Sequence, residues 1–385
     1  MILYSLILVL LIFGVFNYDV QKRNIGKSAY FFFIFLVMTL MSGLRYRVGG
    51  DSLTYETYFN AMPILSEYST FLETNYLNFQ PLYVLFVSVC KTIKDDYYVY
   101  QFIQVVLINS ILFSFIKKRS SYPFTTLLLL YIFLIYFYFS YEIQREIFAI
   151  AIFLLNFRNF EKNRWIRYYV FCILSFLFHI SAVLLFFLPL FKVFKFNKWS
   201  IGAIILISIP LSFMKPILYS FLSVFFFLES MELKGQRYLE MNFSVLGFIV
   251  YYFIRVILLL PFVFFILKVK DTRYSWLVNA MFVISVFSQI LVGVERFMNY
   301  LILMYIMCFV DYIYVTFHSA RLKMAKLFMM YGTFLHLFFI LDYKLIPTKT
   351  NEEYHYYSVY FPYSSIFSKE KNEDREKYIE QLWGY

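Results

Sequence analysis

Residues 29–51 read AYFFFIFLVMTLMSGLRYRVGGD, and the change of chemistry inside that stretch decides the class of protein. The sixteen positions from Ala29 to Leu44 carry no charge, and the next seven hold two arginines, a glycine pair and an aspartate. A bilayer core about 30 Å thick is crossed by about 20 mostly apolar helical residues. Comparable apolar runs recur at 1–17, 122–141, 199–214, 246–267, 275–294, 297–317 and 327–341. Of the 385 residues 62% are hydrophobic and 15% charged, more apolar surface than a soluble domain of this size could enclose. Lipid offers no partner to an exposed backbone N–H or C=O, so each run must be helical. The expectation is an all-α, polytopic helical membrane protein.

The net charge of +11 does not point to nucleic acid, because basic residues concentrate in short loops. Lys and Arg mark the cytoplasmic side of a membrane protein, and six clusters qualify: 22–27, 117–119, 158–167, 192–198, 268–273 and 321–326. Placing all six inside puts 45–80, 141–145, the neighbourhood of His179, 215–245, 292–296 and everything after Asp342 outside. About 12 transmembrane helices result, with both termini external. Residues 1–17 are expected to be a retained first helix, since no small-residue cleavage site follows them. Segment 82–93 is too short to span and is expected to be re-entrant or interfacial; 168–191 is expected to be a tilted hairpin turning near His179. The expected organisation is a bundle over 1–345, with external loops at about 45–80 and 215–245, and an extracytoplasmic tail over 346–385.

Several classes of chemistry find no support. Cys90, Cys172 and Cys308 stand singly, without metal-ligand or disulfide spacing, so neither a metal nor another cofactor is expected. The chain has no GxxxxGK[ST] or GxGxxG motif and no long cytoplasmic segment, so it is not expected to hydrolyse ATP. Asp95 and Asp96 are adjacent rather than spaced as the Asp-x-Asp pair of a metal-dependent nucleotide-sugar enzyme.

One set of charges runs against the positive-inside pattern. Arg45, Arg47, Arg145, Arg237 and Arg296 fall at the external boundary, and Arg255 lies within the apolar run 246–267. A charge at the centre of a spanning helix costs roughly 2.5–3.5 kcal/mol on insertion scales, so such residues face a bundle interior or a wet cavity. Arginines gathered there would suit a polyanion, because the planar guanidinium stays ionised and grips phosphate through two donors. Each feature also has an ordinary reading. Arg45 and Arg47 could snorkel to headgroups, Gly49-Gly50 could be a tight turn, and Asp51 could pair with a neighbouring arginine. Arg145 could be neutralised by Glu142 and Glu146, and Arg296 by Glu295. His179 could be a satisfied structural histidine, and Asp311 and His336 paired packing residues. The final KEKNEDREKYIEQ reads as a solvated, helical terminus.

Taken in order, the motifs resemble those of the EpsG family of Wzy-like polysaccharide polymerases. Gly43, Arg45, Gly50, Asp51 and Tyr55 of GLRYRVGGDSLTY resemble that family's Gly-x-Arg, Gly-Asp and following Tyr. Arg145 of QREIFAIAIF, Phe178, His179, Ser181 and Ala182 of FHISAVLLF, Arg296 of VERFMNY, and Pro362-Tyr363 of FPYSS follow in the expected order. The resemblance spans about residues 1–367; the loop 215–245 and the tail 369–385 match none of its motifs. It implies a GT-C-like membrane glycosyltransferase that uses undecaprenyl-diphosphate-linked oligosaccharide units on the outer face of the bacterial cytoplasmic membrane. It also implies a chain-length regulator and a flippase as pathway partners. Arg45, Arg47, Arg145, Arg296 and Arg255 are the candidates for the leaving diphosphate. His179 is the first candidate for general base, with Asp51, Glu142 and Glu295 behind it, and Tyr55, Tyr363 and Glu295 are candidates for glycan contact. A ligase moving finished polymer needs the same donor groups, and a flippase or polyanion transporter also wants arginines in a cavity. A membrane acyltransferase would need its histidine but not so many arginines. The residues alone leave polymerase and ligase unseparated; the motif order favours the polymerase.

Overall fold

The computed structural model describes residues 2–74, 78–194, 196–212, 214, 244–269, 274–290, 294–317, 324–341 and 356–383. Among these residues the structure is helical, with no strand beyond an isolated antiparallel bridge between Arg45 and Ser365. The chain divides into two compact units, Met1–His179 with Leu341–Tyr385, and Ile180–Ile340. The described part of the C-terminal tail is therefore built into the first unit.

The first unit begins with α1 (Ile2–Gly14), which runs on as π-helical Val15–Val20, and α2 (Lys27–Gly43). Segment 45–80 is itself partly helical, as α3 (Ser52–Ala61) and α4 (Tyr68–Thr74). Then come α5 (Pro81–Ile93), α6 (Tyr97–Arg119), α7 (Pro123–Ile132), α8 (Ile135–Phe137), α9 (Glu146–Glu161) and α10 (Trp165–Phe176). Local chemistry sets several of these bounds. Pro81 and Pro123 open α5 and α7, where the missing N–H costs no helical bond. Asp96 caps α6 by accepting from the Tyr98 amide at 2.8 Å, which gives the Asp95-Asp96 pair a structural use. Lys117, Lys118 and Arg119 close α6, where positive charge complements the helix dipole.

Helix α6 packs against α2, α5 and α9, while α1 lies on α2 and α7. Residues such as Leu6, Val9, Ile12 and Phe13 of α1, and Phe32, Phe33, Leu36 and Leu40 of α2, are exposed. Exposed apolar helix faces of this extent belong against lipid. Inside, a polar knot joins α2, α6 and α8. The Tyr136 hydroxyl donates to the Met38 carbonyl at 2.9 Å, receives Asn109 Nδ2 at 2.9 Å and meets Ser42 Oγ at 2.9 Å. Replacing it with phenylalanine is expected to cost about 1 kcal/mol, the usual worth of such bonds between membrane helices, read as a lower melting temperature in detergent.

The run 122–141, expected as one span, is instead bent by 83° between Pro123–Ile132 and Ile135–Glu142. The reason is Leu134, at a left-handed φ of 63°, followed by a π-helical turn over Tyr138–Glu142. The bend carries Tyr141 and Glu142 to the loop after α2. Segment 82–93 lies within the 13-residue helix α5, which packs against α6. Helix α10 ends at Phe176, with the Phe178 and His179 amides both donating to the Ser175 carbonyl, and helical turns resume only at Ile180–Ala182.

In the second unit, Lys198–Ser212 is followed among the described residues by Val245–Tyr252, a π-helical turn Phe253–Ile257 and Leu260–Val269. Ser275–Ile290, the 3₁₀ turn Val294–Tyr300, Ile302–Phe317 and Met324–Phe338 come next, and the short helices Val183–Phe187 and Leu190–Val193 precede Lys198. Asp311 and His336 have separate settings: Asp311 accepts from the Tyr274 hydroxyl at 2.7 Å, and the His336 ring stands edge-on to Tyr305 at 5.6 Å. The loop expected at 215–245 lies, up to residue 243, outside the described residues, as do Arg237, Lys195, Lys270, Arg273, Arg321 and Lys323.

Ile2–Val20, Tyr97–Arg119 and Val245–Leu267 are long and apolar enough to cross a bilayer, and bent pairs at 123–142 and 294–315 would raise the number to five. Six further apolar helices of 10–17 residues accompany them among the described residues. This is a membrane protein.

Candidate functional site

The chain after α2 turns through a loop, 44–51, in which most backbone groups are held. Gly43 must lack a side chain, since a Cβ there would stand 2.7 Å from Phe102 Cδ2. The Gly43 and Arg45 carbonyls accept from Gln101 Nε2 of α6 at 3.0 and 2.9 Å. Gly49 has a φ of 115°, and a Cβ on it would meet Tyr141 Cβ at 2.8 Å. A Cβ on Gly50 would meet Glu142 Oε2 at 2.7 Å. The glycine pair is therefore a site of close approach as well as a turn. What approaches is the Glu142 carboxylate, which accepts from the Gly50 amide at 2.6 Å and the Asp51 amide at 3.0 Å. Glu142 is committed to the loop and does not serve mainly to neutralise Arg145.

Arg45 is fully buried. Its Nε donates to the Val48 carbonyl at 3.2 Å, its Nη1 to the Ser42 carbonyl at 2.5 Å, and its guanidinium lies 4.4 Å from the centre of the Tyr141 ring. Only Nη2 lacks a partner. Arg47 is three-quarters buried: Nη1 pairs with Glu376 at 3.0 Å and Nε approaches Glu56 at 3.4 Å. The expected pairing of Asp51 with these arginines thus competes with carbonyls for Arg45 and with two glutamates for Arg47.

Arg145 closes the turn before α9. Its guanidinium sits 4.3 Å from the centre of the Phe79 ring and 5.9 Å from that of Tyr58. Its Nε is buried without a hydrogen-bond partner. Tyr55, one turn into α3, places its hydroxyl against the same guanidinium, with Asp51 and Tyr83 close by. Burial holds the Tyr55 phenol well above its usual pKa, so it acts here as a neutral hydroxyl. Tyr58 packs edge-on to Phe79 at 5.0 Å and Phe79 edge-on to Tyr83 at 5.8 Å, so the arginine emerges from an aromatic wall. Loop 44–51 and Arg145 are tied through α6: Gln104 Nε2 donates to the Gln144 carbonyl at 2.8 Å, and Gln144 Nε2 to the Tyr97 hydroxyl at 2.9 Å.

The tail clasps the loop from the far end of the sequence. Tyr46 N donates to the Ser364 carbonyl at 2.8 Å, Gly49 N to Val359 at 2.9 Å, and Ile366 N to Leu44 at 2.9 Å. The Tyr363 hydroxyl, a candidate for glycan contact, donates to the Met41 carbonyl at 3.0 Å. Beyond it, Glu373–Trp383 is helical, as expected, but it is not a solvated terminus: Arg375, Tyr378 and Ile379 are buried. The charges of KEKNEDREKYIEQ conceal the i, i+3, i+4 spacing of those three residues, which was the available signal.

His179, 4% exposed, follows α10 at the end of the unit where α5 and α9 begin. Leu82 N donates to the Leu177 carbonyl at 3.0 Å, and Phe178 stacks on Phe148 at 5.2 Å. The first unit thus holds Arg45, Arg47, Asp51, Tyr55, Arg145, Tyr363 and His179. Arg255, Glu295 and Arg296 belong to the second. Arg255 sits in the π-helical turn and lines a small pocket with Ser285, Ser288, Met298 and His336. Glu295 and Arg296 lie on the 3₁₀ turn Val294–Tyr300, with Arg296 exposed. No group of three or more His, Cys, Asp or Glu side chains placed to hold a metal occurs among the described residues.

The sequence model of the EpsG family matches residues 28–365, which takes in the loop, Arg145, His179, Arg296 and the tail as far as Ser365. The chain belongs to the EpsG family. EpsG proteins are Wzy-like polysaccharide polymerases, so the resemblance drawn from scattered motifs holds over most of the chain. No curated protein and no solved structure matches the chain significantly. In this EpsG protein the matched region stops short of the helix Glu373–Trp383.

Proposed function

We propose that the protein joins undecaprenyl-diphosphate-linked oligosaccharide units into a cell-surface polysaccharide on the outer face of the bacterial cytoplasmic membrane. The observation that carries this reading is Arg145: a guanidinium with a buried, unpartnered Nε, set against Tyr55, Tyr58 and Phe79 in a chain of the EpsG family. The proposal includes a GT-C-like bundle of about twelve crossings, its loop 45–80 external, with a flippase and a chain-length regulator as pathway partners.

In the reaction, the bond from the anomeric carbon of the donor sugar to the diphosphate oxygen breaks. A hydroxyl of the acceptor unit forms the new glycosidic bond from the opposite face and gives up its proton. The leaving diphosphate gathers negative charge, and preorganised cations aimed at it are the largest contribution available without a metal. Arg145 is the principal cation and Arg47 the second, once the diphosphate displaces its glutamate partners. Arg45 is enclosed by its own loop and acts by holding it. His179 takes the acceptor proton; Asp51, half-buried beside Tyr55, is the alternative. Tyr55 and Tyr58 offer a hydroxyl and a ring face to the sugar next to the diphosphate.

The test is the glycan profile of a deletion strain complemented with wild type or single variants, beside a membrane-insertion control. Loss of polymerisation leaves a single repeat unit in place of a ladder. Long polymer retained on its lipid carrier would identify a ligase, and absence of externally exposed lipid-linked units a flippase. His179→Ala is expected to lower polymer formation by roughly 10²-fold, the low end of general-base contributions, because the leaving group is good. A normal ladder from this variant would remove His179 as the base.

A further inference from the structure

We propose that Arg375, on the C-terminal helix Glu373–Trp383, is a positioning residue for this reaction, holding loop 44–51 in the conformation that presents Arg47 and Asp51. The inference rests on the polymerase reading for its link to chemistry, and on geometry alone for the hold itself. Arg375 lies beyond residue 365, where the family match ends.

The guanidinium is 1% exposed and spends its donors on three backbone carbonyls. Nε donates to Ser358 at 3.0 Å, Nη1 to Arg47 at 2.9 Å, and Nη2 to Pro362. Burying a guanidinium costs it hydration, and here that lowers the Arg375 pKa from its ordinary value. Such a residue stabilises only through the groups it ties together. Here they are the loop that carries the site's arginines and the tail segment 356–365 that clasps it. Arg47 has a φ of 51°, a left-handed conformation unfavourable for a non-glycine residue. That conformation is held from both ends: its carbonyl by Arg375, its side chain by Glu376 one residue further along the same helix. Two further loop amides, Tyr46 and Gly49, donate to Ser364 and Val359, which flank the carbonyls that Arg375 gathers. A lysine could not replace it, because a single ammonium lacks the planar fork that spans three acceptors.

The experiment compares the full-length protein in lipid nanodiscs as wild type, Arg375→Ala and Arg375→Lys. Hydrogen–deuterium exchange is followed at 44–51, α2 and α6, and the same variants are scored for ladder formation in the complemented deletion strain. The expected result is exchange at Tyr46 and Gly49 faster by about tenfold in both variants, with α2 and α6 unchanged, and a ladder shortened or lost. Ethylguanidinium is expected to restore part of the loop protection in Arg375→Ala but not in Arg375→Lys. Unchanged exchange at 44–51 would overturn the proposal, and so would acceleration throughout α2 and α6, which would make Arg375 a residue of the general fold. Faster loop exchange with a full ladder would overturn its role in the reaction. A wild-type protein that makes no ladder would sink the polymerase reading instead, and the exchange result would still decide whether Arg375 holds the loop.

Discussion

Arg145→Lys is expected to reduce polymer formation by roughly 10²–10³-fold, the cost of removing one preorganised donor from a developing oxyanion. The substitution keeps the positive charge, so a site that needed only charge would tolerate it. The geometry argues that it needs more. The Arg145 guanidinium lies 4.3 Å from the centre of the Phe79 ring, and its buried Nε has no hydrogen-bond partner. A flexible ammonium neither stacks on a ring nor offers two parallel donors to a phosphate. The measurement is turnover of a lipid-linked repeat unit by purified protein, with melting temperature as the control for folding. Turnover within about threefold of wild type would remove Arg145 from the diphosphate clamp, since no donor that strengthens in the transition state is lost so cheaply.

Gly49→Ala is expected to destabilise the protein by on the order of 3 kcal/mol and to abolish polymer formation. Two independent costs combine at this residue. Its φ of 115° lies in a region that side-chain-bearing residues rarely adopt, and the added Cβ would stand 2.8 Å from Tyr141 Cβ. Neither can relax cheaply, because Tyr141 is fully buried and its ring lies against the Arg45 guanidinium. Relief would have to move the loop away from Glu142, breaking the bonds to the Gly50 and Asp51 amides. Thermal unfolding in detergent reads the first effect and the glycan ladder the second. Glu142→Gln separates them, because it keeps the volume but turns a donor towards one of two backbone N–H groups. It is expected to loosen the loop with a smaller loss of melting temperature. A Gly49→Ala protein with wild-type stability would show that the loop has another conformation within reach.

Much of this was legible in the sequence, and for a physical reason. The membrane class follows from hydropathy, which accumulates along a chain and needs no knowledge of what packs where. The family follows from short motifs in order, and it holds over residues 28–365. The arginines that run against the expected positive-inside pattern stood out because that bias is a rule about sequence position.

Tertiary structure decided what those residues do. Arg45, Arg47 and Arg145 look alike in the sequence. Packing encloses the first in its own loop, pairs the second with Glu56 and Glu376, and leaves the third with a bare Nε against an aromatic ring. Glu142 reads as the neighbour of Arg145, yet its carboxylate goes to amides 91 and 92 residues away, because the left-handed Leu134 bends an otherwise continuous apolar run. Arg375 reads as one charge in a solvated terminus and turns out buried, 328 residues from the carbonyl it holds. Hydropathy and motif order are properties of neighbours in sequence. Which donor meets which acceptor is a property of packing, where a buried polar group must find a partner wherever the fold brings one.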